Sequence, residues 1–439
     1  MKTRKPSAHR LSHVASSLSC LAVGTGALLG IGNPLFAYSI TDLGITQADD
    51  IKAGGPTTNW KAITINDSSK IATWTPNGTQ YQGFLTATNT WLQPFSGDRM
   101  SIPMNMDGAV SPTVVGDSLL PSGIYSVWQP VKWVAGSSTP TLLTVANTSG
   151  SGATSALPFG INSLGEVVGE SYVGAITSLV KAGSAFLYSS GTTSFLPVPK
   201  AGQGSRACSI NAYGQIAGAY YTEGQHQIDI YHPITQQGVV WTPSVAGGTT
   251  FSVTYLGSGI GDSQQAPNPN VDPTAAYAIN RDGLVVGYSF NTHHAFLWAP
   301  TILDGTTSGV IPENLHDLGV LPTSSGDTSD AYAISNPTLV SGTGIATIVG
   351  KETTTSGSTV TYKAVKWTVT YNVNPTTHSI TLGSISGPID LNTTGPGTGG
   401  AYTGWTLQSA TSVDLGDRIV GYGTYNSGTT VTTKAFLLN

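Results

Sequence analysis

A unit of four short apolar runs recurs seven times along the chain, and its clearest copy spans residues 277–319. Its first two runs flank the turn Asn280-Arg281-Asp282-Gly283, and Asn, Asp and Gly favour tight turns between strands. The four runs are 277–279, 284–287, 295–298 and 315–319. Each unit therefore predicts a four-stranded antiparallel meander. Because the runs are apolar at consecutive positions, we expect both faces of each sheet to be buried.

The hairpin spacing indicates that these copies are repeats of one structure. In four copies the turn Asn or Asp stands seven residues before a glycine of the second run. These pairs are Asn162 and Gly169, Asn211 and Gly218, Asn280 and Gly287, and Asp414 and Gly421. The second and sixth copies have longer hairpins, and the first copy lacks this glycine. Turn length varies while the strands persist, as expected for loops on a repeated scaffold.

The two ends of the repeat array complete one another. The seventh copy ends after its third run at 435–437, whereas residues 38–44 resemble a fourth run that no unit precedes. Pairing 38–44 with the last run would complete the final blade and close a ring. We therefore predict an all-β fold, a β-propeller of seven four-stranded blades closed by the N-terminal strand. Rings of six or eight blades and an open β-solenoid are the alternatives.

The first 37 residues have the features of a secretory signal peptide. Four basic residues precede an apolar stretch at 18–31, and Ala37 is a small residue suited to cleavage. The alternative is a membrane anchor that stays attached. The stretch is short and contains glycines, which favours the cleaved signal over the anchor. We predict a signal peptide at 1–37 and a single propeller domain at 38–439.

Without the signal the chain is mildly acidic. The signal holds four of the 18 basic residues and none of the 23 acidic ones, so 14 − 23 gives a net charge of −9. A chain without a basic surface is not expected to bind nucleic acid, and no second apolar stretch predicts membrane insertion after signal removal. Cys208 is the only cysteine outside the signal, and we expect it to be a buried small hydrophobe.

The repeats resemble those of the bacterial HAF family of extracellular repeat proteins. The matching residues are Ala278-Ile279-Asn280, Gly283, Val285-Val286-Gly287, His294-Ala295-Phe296-Leu297-Trp298, Asp317-Leu318-Gly319 and Leu321. Partial matches cover most of the chain after the signal. The name-giving histidine occurs only at His294, and Ser184, Lys363 and Lys434 stand at its position elsewhere. The resemblance implies an exported repeat protein without an assigned biochemical activity.

The histidines of the fifth copy do not predict a metal or proton-transfer site. His293 and His294 are adjacent in a strand and point to opposite faces, so they cannot easily bind one metal ion. His316 and Asp317 have the composition of a proton-transfer pair. Because Asp42 stands at the same position in the N-terminal strand, we interpret Asp317 as part of the repeat.

The remaining candidates also give no catalytic, metal or cofactor site. Glu166 and Glu170 lie about 13 Å apart along one strand, which is too far for a carboxylate pair, and we expect both to be solvated. No nucleophile elbow, phosphate loop or metalloprotease motif is present in the sequence.

The tryptophans divide into two groups by their place in the repeat. Those of the third-strand position are expected in the core between blades: Trp133, Trp241, Trp298 and Trp367. Three others lie outside the repeat positions and are our candidates for ligand binding at the surface: Trp60, Trp128 and Trp405.

We therefore predict a non-enzymatic binding scaffold, monomeric, without a cofactor and secreted, periplasmic or on the cell surface. Its partner would be a protein or a glycan held by the blade loops, above all the long loops of repeats two, four and six. One alternative is a propeller hydrolase or lyase with its site at one mouth of the central channel, and another is a structural envelope component. Two or more acids that converge with His, Tyr or Arg at one mouth would rule out the non-enzymatic scaffold.

Overall fold

The computed structural model describes residues 37–45, 63–77, 80–122, 125–146, 155–172, 183–199, 204–221, 236–245, 247–256, 274–299, 309–310, 315–322, 327–340, 342–374, 376 and 380–439. Contacts divide the chain into two units, Met1–Phe36 and Ala37–Asn439. The predicted signal peptide therefore lies almost entirely outside the described residues. Within them, no helix has the length and apolarity needed to cross a membrane.

The unit Ala37–Asn439 is a seven-bladed β-propeller, in which each blade is a meander of four antiparallel strands. This confirms the predicted fold and blade number, and it excludes the open solenoid and the rings of six or eight blades. Blade 1 consists of β2 (Thr64–Ile65), β3 (Ile71–Asn77), β4 (Gln80–Leu85) and β5 (Thr90–Leu92). Blade 2 consists of β6 (Met100–Met106), β7 (Val114–Ser122), β8 (Tyr125–Trp133) and β9 (Thr141–Leu142). Blade 3 consists of β10 (Ala156–Ile161), β11 (Val167–Ser171), β12 (Ser184–Ser189) and β13 (Thr192–Phe195).

Blades 4 to 7 follow the same order and carry two short additions. Their strands are β14 (Gly204–Ile210), β15 (Ile216–Tyr221), β16 (Gln236–Pro243) and β17 (Phe251–Tyr255); β18 (Thr274–Ile279), β19 (Val285–Ser289), β20 (His294–Trp298) and β22 (Leu315–Gly319); β23 (Thr328–Ile334), β25 (Thr343–Ser356), β26 (Thr359–Val373) and β27 (Ile380–Asp390); β28 (Trp405–Val413), β29 (Ile419–Asn426), β30 (Val431–Leu438) and β1 (Ile40–Ile45). The additions are β21 (Gly309–Val310), parallel to β17, and β24 (Thr338–Val340), which pairs with β25.

The N-terminal strand closes the ring as the sequence predicts. β1 pairs antiparallel with β30, with Ile40 opposite Leu438. Beyond the strand ends, Ser39 and Asn439 exchange two backbone hydrogen bonds of 2.9 and 3.0 Å. The Tyr38 hydroxyl donates to Asp417 at 2.5 Å and accepts from the Lys366 ammonium at 2.5 Å, which fixes the start of the strand to blades 6 and 7.

Burial on both faces of each blade explains the consecutive apolar residues. Val285 packs in a cluster with Val240 of blade 4, whereas its neighbour Val286 packs in a cluster with Trp367 of blade 6. Successive strand residues point to opposite faces, so both must be apolar when a blade lies on each side. The four tryptophans of the third-strand position are all buried, as predicted.

A bulge in the innermost strand accounts for the repeated glycine. In blade 3, Pro158 is opposite Gly169 and Gly160 is opposite Val168, so Phe159 has no partner in the ladder. A methyl group on Gly169 would fall on the carbonyl oxygen of Leu157. Bulges re-aim side chains, and here they give blades 2 to 6 one extra residue in the strand nearest the channel. These residues are Met104, Phe159, Cys208, Tyr277 and Tyr332, and blade 7 has two, Gln408 and Thr411.

Candidate functional site

The turn asparagine of the repeat is a structural link between neighbouring blades. The Asn211 Oδ1 atom accepts backbone N–H bonds from Tyr213 and Gln215, both at 3.0 Å, and so closes its own turn. Its Nδ2 atom donates to the Asn280 carbonyl of the next blade at 3.1 Å. The same two functions are performed by Asn66, Asn162 and Asn280. These residues are therefore occupied in holding the ring.

A second set of links starts from the opposite end of the innermost strands. The Ser205 Oγ atom of blade 4 accepts the Ala185 backbone N–H of blade 3 at 2.9 Å. Four other pairs of neighbouring blades are joined in the same way, by Ser101, Ser155, Thr274 and Ser329. The sequence gives little sign of this set, because the residue varies between Ser and Thr and stands outside the recurring motif.

The name-giving histidine of the repeat is hydrogen-bonded to a carboxylate at the outer edge of its blade. His294 Nδ1 lies 3.0 Å from the Asp317 carboxylate, and the equivalent Lys434 Nζ lies 2.5 Å from Asp42. Lys363 and Asp390 make the corresponding pair in blade 6 at 3.8 Å. Asp317 therefore contacts His294 rather than forming the His316–Asp317 pair that the sequence offered. This position joins the third and fourth strands of a blade.

The histidine neighbouring His294 has a different partner. His293 Nδ1 lies 2.7 Å from the Tyr288 hydroxyl. His293 lies in the turn before β20 with a φ of 59°, and not in one strand with His294 as we expected. The two rings have different partners. Over the whole described part of the chain, no group of three or more His, Cys, Asp or Glu residues is placed to hold a metal ion.

The three candidate tryptophans have three different outcomes. Trp60 lies outside the described residues. Trp128 is only 4% exposed and packs with Trp74, Ile102 and Tyr172, so the expectation that it lies at the surface is wrong. Its strand β8 extends further than the repeat motif suggests, and this extension brings Trp128 between blades. Trp405 is half-buried at the start of β28 and lines a groove.

The groove at Trp405 has an aromatic wall. Its cavity measures about 470 Å³ and is lined by Ile40, Asp42, Pro396, Gly397, Ala401, Tyr402, Thr403, Trp405 and Tyr425. The Trp405 and Tyr425 rings lie 5.4 Å apart at 54°, and Trp405 rests edge-on against Phe436 at 6.3 Å. The packing against Phe436 holds the indole in place, and its half-buried face remains available in the groove.

Charged groups stand beside this aromatic wall. Lys434 Nζ lies 4.6 Å from the centre of the Tyr425 ring and 2.5 Å from the Asp42 carboxylate. The other Asp42 oxygen accepts the Gly44 backbone N–H at 2.8 Å. The groove therefore combines the Trp405 and Tyr425 rings with a fixed carboxylate, Asp42, and with the Lys434 ammonium that lies over the Tyr425 ring, which is a combination suited to polyhydroxylated ligands.

A second cluster lies within the wall of the channel, between blades 3 and 4. Glu170 is fully buried, with one carboxylate oxygen 2.7 Å from Arg206 Nε and the other bonded to the Tyr221 hydroxyl. Glu166 is also buried, and its carboxylate accepts the Asn162 Nδ2 group at 2.6 Å. The expectation that both glutamates are solvated is therefore wrong. Glu166 is bonded to Asn162 within its own hairpin turn, whereas the donors to Glu170 come from the next blade.

The cluster extends through the bulged residues to blade 6. Burial raises the pKa of the Tyr277 hydroxyl, the charge of Asp330 raises it further, and that of Arg206 lowers it. Burial likewise raises the pKa of Asp330, while Lys351 opposes this rise. Cys208, which we expected to be buried, is half-buried at the bulge of blade 4. Acids, tyrosines and an arginine thus meet here, with the Glu170 carboxylate enclosed.

A signal for this cluster is present in the repeat. The residue after the second-strand glycine is Ala219, Tyr288 or Tyr422 in three blades, but Asp117, Glu170 and Lys351 in three others. A charged residue at a position that is otherwise uncharged marks a difference between blades. Comparing the copies column by column would have found it.

No known family model matches the chain. A comparison with curated proteins also finds no match.

Proposed function

We propose that this protein is an exported, non-enzymatic binding scaffold that holds a glycan in the groove at Trp405. The observation that carries the proposal is the aromatic wall of Trp405 and Tyr425, with the Asp42 carboxylate in the groove and Lys434 over the Tyr425 ring. Sugar rings present flat C–H faces that stack on aromatic rings and hydroxyl groups that bond to charged side chains. A volume of about 470 Å³ lies within the usual range of small-ligand sites.

The proposal includes export and membership in the HAF family. Export is supported by the predicted signal peptide at 1–37, which would place the protein outside the cytoplasm in the periplasm, in the medium or on the cell surface. Family membership is supported by the repeated Ala-Ile-Asn, Val-Val-Gly and Ala-Phe-Leu steps. In the structure these steps form the inner hairpin and the third strand of the blades.

The test is glycan binding by wild-type protein and by the Trp405→Ala variant. An array of glycans identifies a ligand, and calorimetry then measures its affinity for both proteins. We expect Trp405→Ala to weaken binding about tenfold, because stacking on the indole is lost. Trp405→Phe should retain part of the affinity, since a smaller aromatic face remains.

Trp91→Ala is the matched control. Trp91 is a half-buried tryptophan on the last strand of blade 1, and it does not line the groove. Its ring is tilted at 56° against that of Phe84, with the ring centres 4.9 Å apart. Its replacement should leave glycan affinity unchanged. If Trp405→Ala and Trp91→Ala bind the glycan as tightly as the wild type does, the ligand is held elsewhere and the groove proposal fails.

A propeller hydrolase or lyase is the second candidate, favoured by the cluster of Glu170, Arg206 and Tyr221 with Asp330 and Tyr277. This is the composition we expected of an enzyme at a channel mouth. It ranks second because both oxygens of Glu170 are bonded to protein groups and the carboxylate is fully buried. Release of a shortened glycan by wild type, and its loss in Glu170→Gln, would reverse this order.

A further inference from the structure

The mouth of the central channel at the asparagine turns contains a separate cavity. Its volume is about 380 Å³, and the inner turns of several blades form its rim. One aliphatic side chain from each of blades 2 to 5, at the end of the innermost strand, contributes to its lining: Met106, Ile161, Ile210 and Ile279. Each of these side chains keeps a small exposed fraction. The cavity thus has an apolar lining on the side of these four blades.

Most polar groups of the rim are already bonded. Asn66, Asn162 and Asn211 use both ends of their carboxamides in the links between blades. The Asp67 carboxylate accepts Asn336 Nδ2 at 2.6 Å and the Leu415 backbone N–H at 3.1 Å. Both oxygens of the acid on the rim therefore accept local hydrogen bonds, and the amides have little capacity left for a ligand.

Arg281 is the exception among the residues that line this cavity. Its side chain is 40% exposed, and Nε pairs with Asp282 at 3.1 Å. The other Asp282 oxygen accepts the Tyr371 hydroxyl at 2.8 Å, so Asp282 is shared between two donors. A guanidinium has five N–H donors, and within the described residues no hydrogen bond from the terminal nitrogens of Arg281 is formed. This leaves a cation with spare donors at the edge of an apolar cavity.

Apolar side chains also surround the mouth on its outer surface. Leu164 and Tyr213 occupy the turns of blades 3 and 4, and they are 62% and 45% exposed. Val110, in the inner hairpin of blade 2, and Leu415, in that of blade 7, are exposed as well. Turns of this kind usually carry polar residues, and exposed apolar groups gathered around a cavity indicate a binding surface.

We propose that the channel mouth binds a small amphipathic carboxylate, with its apolar part on the four aliphatic side chains and its carboxylate on Arg281. This site is distinct from the groove at Trp405 and does not depend on the glycan proposal. The carboxylate could belong to a free acyl chain or to the C-terminus of a peptide with an apolar last residue. Both supply the same two groups.

The test uses calorimetry with sodium octanoate, octylammonium chloride, sodium butanoate and an acetylated tripeptide that ends in leucine. Octanoate should bind the wild type, and Arg281→Gln should weaken it about tenfold, as a charge-assisted hydrogen bond is lost. Arg99→Gln is the matched control, because Arg99 is an exposed arginine that does not line the cavity. Each added methylene that reaches the apolar lining should raise affinity about threefold to fourfold.

Three outcomes overturn the proposal: octylammonium binding as tightly as octanoate, equal affinities for octanoate and butanoate, or an Arg281→Gln variant that binds octanoate like the wild type. Arg281 is partly exposed, so its replacement should preserve the fold, and an unchanged thermal midpoint checks this. Binding of octanoate or of the peptide supports the site. The ratio of their affinities identifies the source, and peptide binding that is lost on C-terminal amidation assigns it to a peptide end.

Discussion

Two carboxylates occupy the same position in neighbouring blades and have opposite surroundings. Asp117 and Glu170 each follow the glycine of the second strand, and each is fully buried. Glu170 is paired with Arg206 and Tyr221, whereas neither Asp117 oxygen has a hydrogen-bond partner within the described residues. The difference shows that the repeat places a side chain at a blade interface but does not supply its partner.

The next blade decides whether the buried charge is satisfied. Arg206 stands two residues before the bulge of β14, and Leu157 stands at this position in β10. Blade 4 therefore offers a cation to Glu170, while blade 3 offers an apolar residue to Asp117. Burial raises the pKa of Asp117 well above its usual value, because an unpaired carboxylate is more stable protonated in an apolar interface.

The largest expected effect comes from breaking the satisfied pair. Glu170→Ala should lower the free energy of unfolding by about 3 kcal/mol, since it leaves Arg206 nearly buried without its counter-ion. Urea denaturation at neutral pH measures this loss. A double variant, Glu170→Leu with Arg206→Leu, should recover much of the stability, and a double variant as unstable as Glu170→Ala would show that the charge pair is not the cause.

Replacing the unsatisfied carboxylate should have the opposite sign. The pKa of Asp117 is higher in the folded state than in the unfolded chain, so its contribution to stability is present below the unfolded pKa near 4 and is lost as pH rises through the folded pKa. Asn cannot ionise, so the Asp117→Asn variant does not lose this stability as pH rises. The variant should gain on the wild type as pH rises, by on the order of 2 kcal/mol at pH 8.

The measurement is urea denaturation of wild type and Asp117→Asn between pH 4 and pH 8. The gain of the variant should be smallest at pH 4, where Asp117 is protonated in the folded protein. Parallel stability curves for the two proteins over this range would show that Asp117 does not titrate between the folded and unfolded states.

The smallest effect is expected from supplying the missing partner. Leu157→Arg puts a cation at the position equivalent to Arg206 and should interact with Asp117. A cycle of Leu157→Arg, Asp117→Asn and the double variant isolates this coupling, which we expect to favour the ion pair by about 1 kcal/mol at neutral pH. The substitution by itself costs stability through lost apolar packing, but the cycle subtracts that cost. A coupling of zero would mean that the introduced guanidinium and the Asp117 carboxylate do not meet.

The sequence predicted the architecture well because repetition carries it. The consecutive apolar residues Val285 and Val286 required a blade on each side of their strand. The N-terminal strand at 38–44, which no unit precedes, required a pairing partner in the last blade. These inferences depend only on the period of side chains along a strand and on the need to pair strand edges.

Prediction of the candidate sites was less successful, for a physical reason that Trp128 and Trp405 illustrate. Both tryptophans lie outside the repeat motif, yet one is enclosed between blades and the other lines a groove. Their exposure depends on how far β8 and β28 extend and on what the neighbouring blade presents. Column-by-column comparison of the repeats could have identified Glu170, but not Arg206 as its partner.

The sequence by itself determined the repeated four-stranded unit, the closing strand and the core residues that recur in each repeat, because those follow from local patterns repeated along the chain. The tertiary structure alone decided that Glu170 meets Arg206, that Asp117 has no such partner among the described residues, and that Trp405 meets Tyr425. It also gathered four aliphatic side chains and Arg281 around one mouth of the channel. These contacts join residues from different strands or blades. The energy of a buried charge or an exposed ring depends on the residue that the neighbouring strand or blade places beside it, which the pattern of a single repeat does not contain.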